Sequence, residues 1–291
     1  MVLVNVNGKV SSAAEARISP LDRGFLFGDG VYETGRSYSR CVAFFEEHLE
    51  RLRRSAGKLA IAVPWDDAEI RVRVESTARA SGKDDVYFRI VLSRGEISHV
   101  GLEVESETPP TLVVIVQDLP AGLGERYEKG VRLLTSSIIR NPAAAQDPNI
   151  KTSNYLNSLL ALRDARGRGA DDAVMCNGAG QLTEGTTFSV FGVTAAGGLI
   201  TPSLSIGILD SITRRHVLQV AAGRMPTEEG IFSLSVFHEC REIFIASSVR
   251  EIVPVHHWDG RDYPAGGPAT RLLQKALREY IEAYVASHSR Y

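Results

Sequence analysis

Lys151 is the only charged residue between Asp147 and Arg163. It stands just before a run that reads as a helix and carries Tyr155, Leu156, Leu159, Leu160 and Leu162. A cationic amine at the mouth of an apolar element is penalised by loss of water. Desolvation lowers the pKa of such an amine and turns it into a nucleophile and proton carrier. Lys151 therefore has two readings: a lysine that snorkels to solvent, or one that forms an imine with an aldehyde cofactor. The second needs more parts, namely a carboxylate for a ring nitrogen and donors for an anionic group.

The chain offers candidates for each part. Glu184, in "GQLTEGTTFSVFGV", reads as a residue of a turn between strands. Its small neighbours would let a flat ring approach, and a carboxylate there would keep a pyridinium protonated. A solvated loop glutamate fits the same residues. In "SITRRHVLQVA" the amides of Ile212 and Thr213 fall at a helix start, where partial positive charge favours an anion. "IASSVREIVPV" adds the Ser247 and Ser248 hydroxyls, and "EEHLERLRRSA" adds Arg51, Arg53 and Arg54. Singly, each is also an ordinary helix start or surface charge. Together they are the parts list of a pyridoxal 5'-phosphate enzyme.

The elements that must position these residues are mixed. Asn7-Gly8 within "VLVNVNGKVSS" predicts a hairpin. "FFEEHLERLRRSAGKLAI" predicts an amphipathic helix, with Leu49, Leu52 and Ala56 on one face. "DDAEIRVRVESTARASG" predicts a second helix, stopped at Gly82. "VYFRIVLSRG" and "TLVVIVQDL" are rich in β-branched residues and predict strands. Residues 120–131, rich in glycine and charge, read as a connector between a domain over 1–119 and another over 132–291. Beyond it, strands are predicted at "VRLLTSS", "DAVMCN", "FSVFGV", "LITPS" and "EIFIASS". Helices are predicted at Lys151's run, after Ser211 as N-cap, and at "ATRLLQKALREYIEAYVAS". The pattern is α+β.

Bulk properties narrow the function classes. With 44% hydrophobic and 23% charged residues, the 291-residue chain has an ordinary globular composition. A net charge of −2 gives no broad basic face for nucleic acid. The apolar runs are too short to span a bilayer, and no signal peptide is read at the N-terminus. Cys41, Cys176 and Cys240 have neither disulfide nor zinc-site spacing, so no metal is expected and a cytoplasmic location is.

Six blocks occur in order: "FGDGVYETGRSY", "EEHLERLRRSA", "IKTSNYLNSLLALRDARGRGADDAV", "NGAGQLTEGTTFSVFGV", "ITR" and "ASSVREIVPV". This set resembles the class IV aminotransferases, the fold-type IV pyridoxal phosphate family, from about Val4 to the final helix. The resemblance implies two domains with the active site between them, a homodimer, and a ping-pong exchange of an amino group between amino acids and 2-oxo acids. It implies that Lys151 is the Schiff-base lysine and the acid–base group. Glu184 would bind the ring nitrogen and Tyr155 the ring's phenolic oxygen. Arg51, the Ile212 and Thr213 amides and the Ser248 hydroxyl would hold the phosphate.

For the substrate, Tyr87 and Arg89 fall on one face of a strand at period two. Branched-chain aminotransferases resemble this, with the tyrosine at the α-carboxylate and the arginine at a distal carboxylate. The "VYETGRSY" block is similar to theirs at Arg36 and Tyr38. Phe27 and Tyr32 would line an apolar side-chain pocket, and the Val249 amide would help hold the α-carboxylate. D-amino acid transaminases carry an Arg-x-His pair after "RG". Here "SRGEISHVGLEVE" offers only His99. An L-branched-chain amino acid with 2-oxoglutarate is therefore the expected pair. D-amino acid transaminase, R-selective amine transaminase and aminodeoxychorismate lyase are the alternatives. Two departures bear on the substrate. Thr34-Gly35 stands where branched-chain enzymes have glycine and a bulky aliphatic, and Asp210-Ser211 stands near the expected phosphate site.

Overall fold

The structure, a computed structural model, describes residues 2–104 and 108–291. The chain forms two compact units. One comprises Met1–Pro120, Ile150–Asn154 and Ala283–Tyr291; the other comprises Ala121–Asn149 and Tyr155–Glu282. Neither unit is continuous in sequence.

The first unit is an antiparallel six-stranded sheet, of order β2-β1-β6-β5-β3-β4. Its strands are β1 (Leu3–Val6), β2 (Lys9–Ser12), β3 (Gly30–Tyr38), β4 (Cys41–Val42), β5 (Tyr87–Ser93) and β6 (Thr111–Gln117). Asn7 (φ 50°) and Gly8 (φ 99°) turn β1 into β2 as expected. The short helix α1 (Arg23–Phe27) is capped by Asp22. Helices α2 (Phe45–Lys58) and α3 (Asp67–Ala80) lie where the apolar periodicity puts them. A capping box of Asp66 and Glu69 starts α3, and Gly82 (φ 69°) follows its end. Strands β5 and β6 alternate buried and half-buried residues. Their buried faces (Phe88, Ile90, Leu92, Leu112, Val114, Val116) pack on Phe45, Leu49 and Leu52 of α2 and on Ile70, Val74 and Ala78 of α3. The opposite face carries Tyr87 and Arg89 and is left uncovered by these helices.

The second unit holds a nine-stranded mixed sheet, of order β12-β11-β10-β13-β14-β7-β8-β9, with β15 on β14. Its strands are β7 (Val131–Thr135), β8 (Asp172–Cys176), β9 (Leu182–Gly185), β10 (Ser189–Val193), β11 (Leu199–Pro202), β12 (Thr227–Gly230), β13 (Glu242–Ser247), β14 (Glu251–Trp258) and β15 (Arg261–Asp262). Helices α4 (Leu123–Lys129), α5 (Leu156–Gly167), α6 (Ile212–Ala221), α7 (Leu234–His238) and α8 (Pro268–Ser287), with a 3-10 turn at Leu204–Ile206, complete the element order. The last residues of α8 belong to the first unit. The stretch read as a connector is partly helical, because α4 occupies most of it.

Helix α5 departs from the expected pattern. Its buried residues are Ser158, Ala161 and Ala165, and the two alanines pack in one cluster with Ala173 and Met175 of β8. Leu156, Leu159 and Leu160 are 63%, 56% and 43% exposed. The small residues face inward because the helix lies close on β8, so the apolar run is an outward face and not a buried element.

Candidate active site

Lys151 is placed by its main chain. Residues 150–154 run beside β3: Tyr32 N donates to Lys151 O (2.9 Å), Ser153 N donates to Gly30 O (2.9 Å), and Val31 bridges Thr152. The Lys151 amide donates to Ser55 Oγ of α2 at 3.2 Å. The side chain is half-buried, and its Nζ donates to the Tyr32 hydroxyl at 3.3 Å, 4.4 Å from the ring centroid.

Strand register brings the expected substrate residues together. Tyr32, Thr34 and Arg36 of β3 lie opposite Val91, Arg89 and Tyr87 of β5, and directly opposed residues share a face. The Arg89 guanidinium lies 3.8 Å from the Tyr32 ring centroid. Tyr32 is 3% exposed, held between Arg89 and Lys151. Its ring meets both cations and its hydroxyl accepts from the lysine. Arg36 is buried, stacked on Tyr38 at 4.2 Å and 3.8 Å from Asp85. Phe27 ends α1 at 39% exposure, with the Arg23 guanidinium 5.1 Å from its ring.

Arg51 is 3% exposed and makes a bidentate pair with Glu33: Nε to Oε1 and Nη2 to Oε2, both 2.7 Å. His48 Nδ1 lies 2.7 Å from Glu33 Oε2. Burial opposes the Glu33 charge, but Arg51 and His48 overcome it and bring its pKa down to about 2. Burial pushes the His48 pKa below its ordinary value. Neutral His48 thus donates from Nδ1 to a Glu33 carboxylate. This cluster was invisible to sequence reasoning, because Glu33 is 18 residues from Arg51. Only the spacing of His48, Arg51 and Ser55 hinted that one helix face is polar. Gly35 has a local reason too. A Cβ there would stand 2.5 Å from Phe88 Cζ and 3.3 Å from His48 Nε2. The room of the expected aliphatic is taken by these two rings.

In the second unit, Glu184 lies within β9 and not in a turn. It is 8% exposed; Arg140 Nη2 donates to its Oε1 at 2.7 Å, and Leu209 N donates to its Oε2 at 3.4 Å. Arg140 was missed in the sequence because 44 residues separate the two. Tyr155 is half-buried at the N-cap of α5. Ser211 caps α6 by accepting from the Arg214 amide, and helix geometry leaves the Ile212 and Thr213 amides without an intrahelical partner. Thr213 Oγ1 donates to Ser248 Oγ at 3.3 Å, so the start of α6 meets the residue after β13. Ser248 and Val249 follow β13 directly. Asp210 pairs with Arg215 at 2.9 Å, which offsets its charge beside the start of α6.

The donor chemistry fits pyridoxal phosphate in each unit. A half-buried amine beside a phenol suits an aldehyde, and a charged carboxylate suits a ring nitrogen. Free helix-start amides with two hydroxyls suit a phosphate. Among the described residues, no His, Cys, Asp and Glu cluster could hold a metal ion, and no helix is long and apolar enough to cross a membrane.

Comparisons with known proteins agree. The chain is 36% identical over 284 residues to a putative branched-chain-amino-acid aminotransferase of Methanocaldococcus jannaschii, covering 95% of each. It is 29% identical over 286 residues to a D-alanine aminotransferase of Listeria monocytogenes, covering 96% of each. The crystal structure of a branched-chain aminotransferase from Thermoproteus uzoniensis with norvaline superposes with a TM-score of 0.89 at 29% identity, over 99% of this chain and 98% of that one. The family model for amino-transferase class IV matches residues 30–258, so the chain belongs to the class IV aminotransferases and is a pyridoxal phosphate-dependent transaminase.

Proposed function

We propose that the protein moves an amino group between a branched-chain L-amino acid and 2-oxoglutarate. The observation that carries this reading is the shared face of β3 and β5, where Tyr87 and Arg89 stand opposite Arg36 and Thr34 and the Tyr32 hydroxyl reaches Lys151 Nζ. A guanidinium there matches a second carboxylate, which 2-oxoglutarate has and leucine lacks. Arg89 binds the distal carboxylate; Tyr87 and the Val249 amide bind the α-carboxylate. Phe27 offers apolar surface to the side chain.

When bound, the cofactor supplies an electron sink for the charge left by the α-proton. Lys151 Nζ takes that proton and returns one. The Tyr32 hydroxyl orients Nζ. Glu184 serves the ring nitrogen and Tyr155 the phenolic oxygen, while Arg51, the Ile212 and Thr213 amides and Ser248 serve the phosphate. The first 2-oxo acid leaves before the second binds, a ping-pong order.

A donor panel with 2-oxoglutarate tests the reading. L-leucine, L-isoleucine and L-valine are expected to turn over well ahead of D-alanine and R-1-phenylethylamine. Faster turnover of either R- or D-configured donor would replace it.

The exposed leucines of α5 support a homodimer, since three neighbouring large apolar side chains rarely stay in water. Equilibrium sedimentation is expected to give twice the 31.7 kDa chain mass, and a monomer mass would remove this part. The three free cysteines support a reducing compartment, hence a cytoplasmic enzyme. A disulfide between any two of them in protein isolated from cells under thiol-blocking conditions would contradict that location.

A further inference from the structure

Arg51 has a neutralising partner, which a purely electrostatic phosphate ligand would not want. Glu33 cancels its charge at a site where both are almost wholly buried. What Glu33 contributes is orientation. A guanidinium has a planar fork, and a carboxylate that takes Nε and Nη2 together fixes its plane and direction. Glu33 is itself held. His48 takes its Oε2 at 2.7 Å, and the His48 ring meets the Phe88 edge at 6.0 Å and 78°. The absent side chain of Gly35 leaves the room in which that ring lies. Glu33 thus accepts from both Arg51 and His48, and cannot turn without breaking both contacts.

The same helix face carries the second half of the argument. His48, Arg51 and Ser55 follow one another at spacings of three and four on α2. Ser55 accepts from the Lys151 amide, and Tyr32 N, one residue before Glu33, donates to Lys151 O. One strand and one helix therefore hold both the imine-forming lysine's main chain and the guanidinium.

We propose that Glu33, locked by His48, is a positioning residue that aims the Arg51 guanidinium at the cofactor phosphate and sets it in register with Lys151. This rests on the phosphate role proposed above for Arg51. The guanidinium whose plane is fixed in this way makes the phosphate contact. Glutamine at position 33 would accept from one guanidinium nitrogen only and would turn an amide N–H toward the other donors, releasing the fork.

The test compares two aldehydes that differ only in the phosphate. The full-length protein, freed of cofactor, is titrated with pyridoxal 5'-phosphate and separately with pyridoxal, following visible absorbance. Glu33→Gln is expected to weaken pyridoxal 5'-phosphate binding about tenfold or more, the scale typical of losing a partner that orients a ligand group. Pyridoxal binding is expected to stay within about twofold. Glu33→Asp keeps the charge but withdraws the fork by one methylene, and is expected to show the same selective loss; it decides the matter should the glutamine variant not fold. Equal weakening of both aldehydes would make Glu33 merely structural and overturn the proposal, as would unchanged or tighter phosphate-dependent binding. Arg51→Gln separates the two claims. If it leaves the preference for the phosphorylated aldehyde intact, the Arg51 role itself falls. If it abolishes that preference while both Glu33 variants keep it, only the present proposal falls.

Discussion

Replacing Lys151 with alanine is expected to lower transamination by at least about 10³-fold, because the role proposed for it makes one side chain both nucleophile and proton carrier. The fold is expected to survive. Residues 150–154 are held by main-chain bonds to Gly30, Tyr32 and Ser55, none of which uses the lysine side chain. What is lost structurally is the contact of Nζ with the Tyr32 hydroxyl and ring. That contact sits at a half-buried position, and its removal should cost about 1 kcal/mol or less. The measurement pairs turnover with the thermal midpoint. A folded Lys151→Ala protein with near-normal turnover would remove the lysine from the mechanism. A collapse of the midpoint would show that the amine supports the fold.

The second large effect is selective. Arg89→Ala is expected to reduce kcat/KM for 2-oxoglutarate and glutamate by about 10- to 100-fold, the scale of a lost charge-assisted hydrogen bond. For leucine the loss should be a few-fold. Arg89 also stacks on Tyr32 at 3.8 Å, so its removal loosens a ring that touches Lys151. That part of the cost falls on every substrate alike, and only the difference between acidic and apolar substrates reports the carboxylate contact. Arg89→Lys keeps the charge but not the fork and should fall between the two. Equal losses for leucine and 2-oxoglutarate would take Arg89 out of the distal-carboxylate role.

The site was legible where it depended on local spacing. Tyr87 and Arg89 share a face because strands alternate, and the Ser211 cap leaves two amides because helices begin that way. The amphipathic pattern located α2, and Asn7-Gly8 located the first hairpin. Residues that meet only through the fold were not legible. Glu33 with Arg51 and Arg140 with Glu184 join distant positions, and no periodicity marks them. The Gly, Thr and Ser around Glu184 predict a turn because they suppress the strand signal, whereas pairing with β8 decides its conformation. The leucines of α5 misled for a related reason. Hydrophobicity marks which residues avoid water, and β8 sits close enough to admit only the small ones. Strand β3 gives no strand signal in the sequence, since Glu33, Thr34, Gly35 and Arg36 show no apolar alternation.

The central claim is that Lys151 is the amine that captures the cofactor aldehyde. Borohydride reduction of the protein loaded with pyridoxal 5'-phosphate, followed by peptide mass mapping, tests it directly. The expected result is a visible band lost on reduction and a phosphopyridoxyl group on the peptide containing Lys151. A protein that stays colourless, or a label fixed on another lysine, would contradict the account.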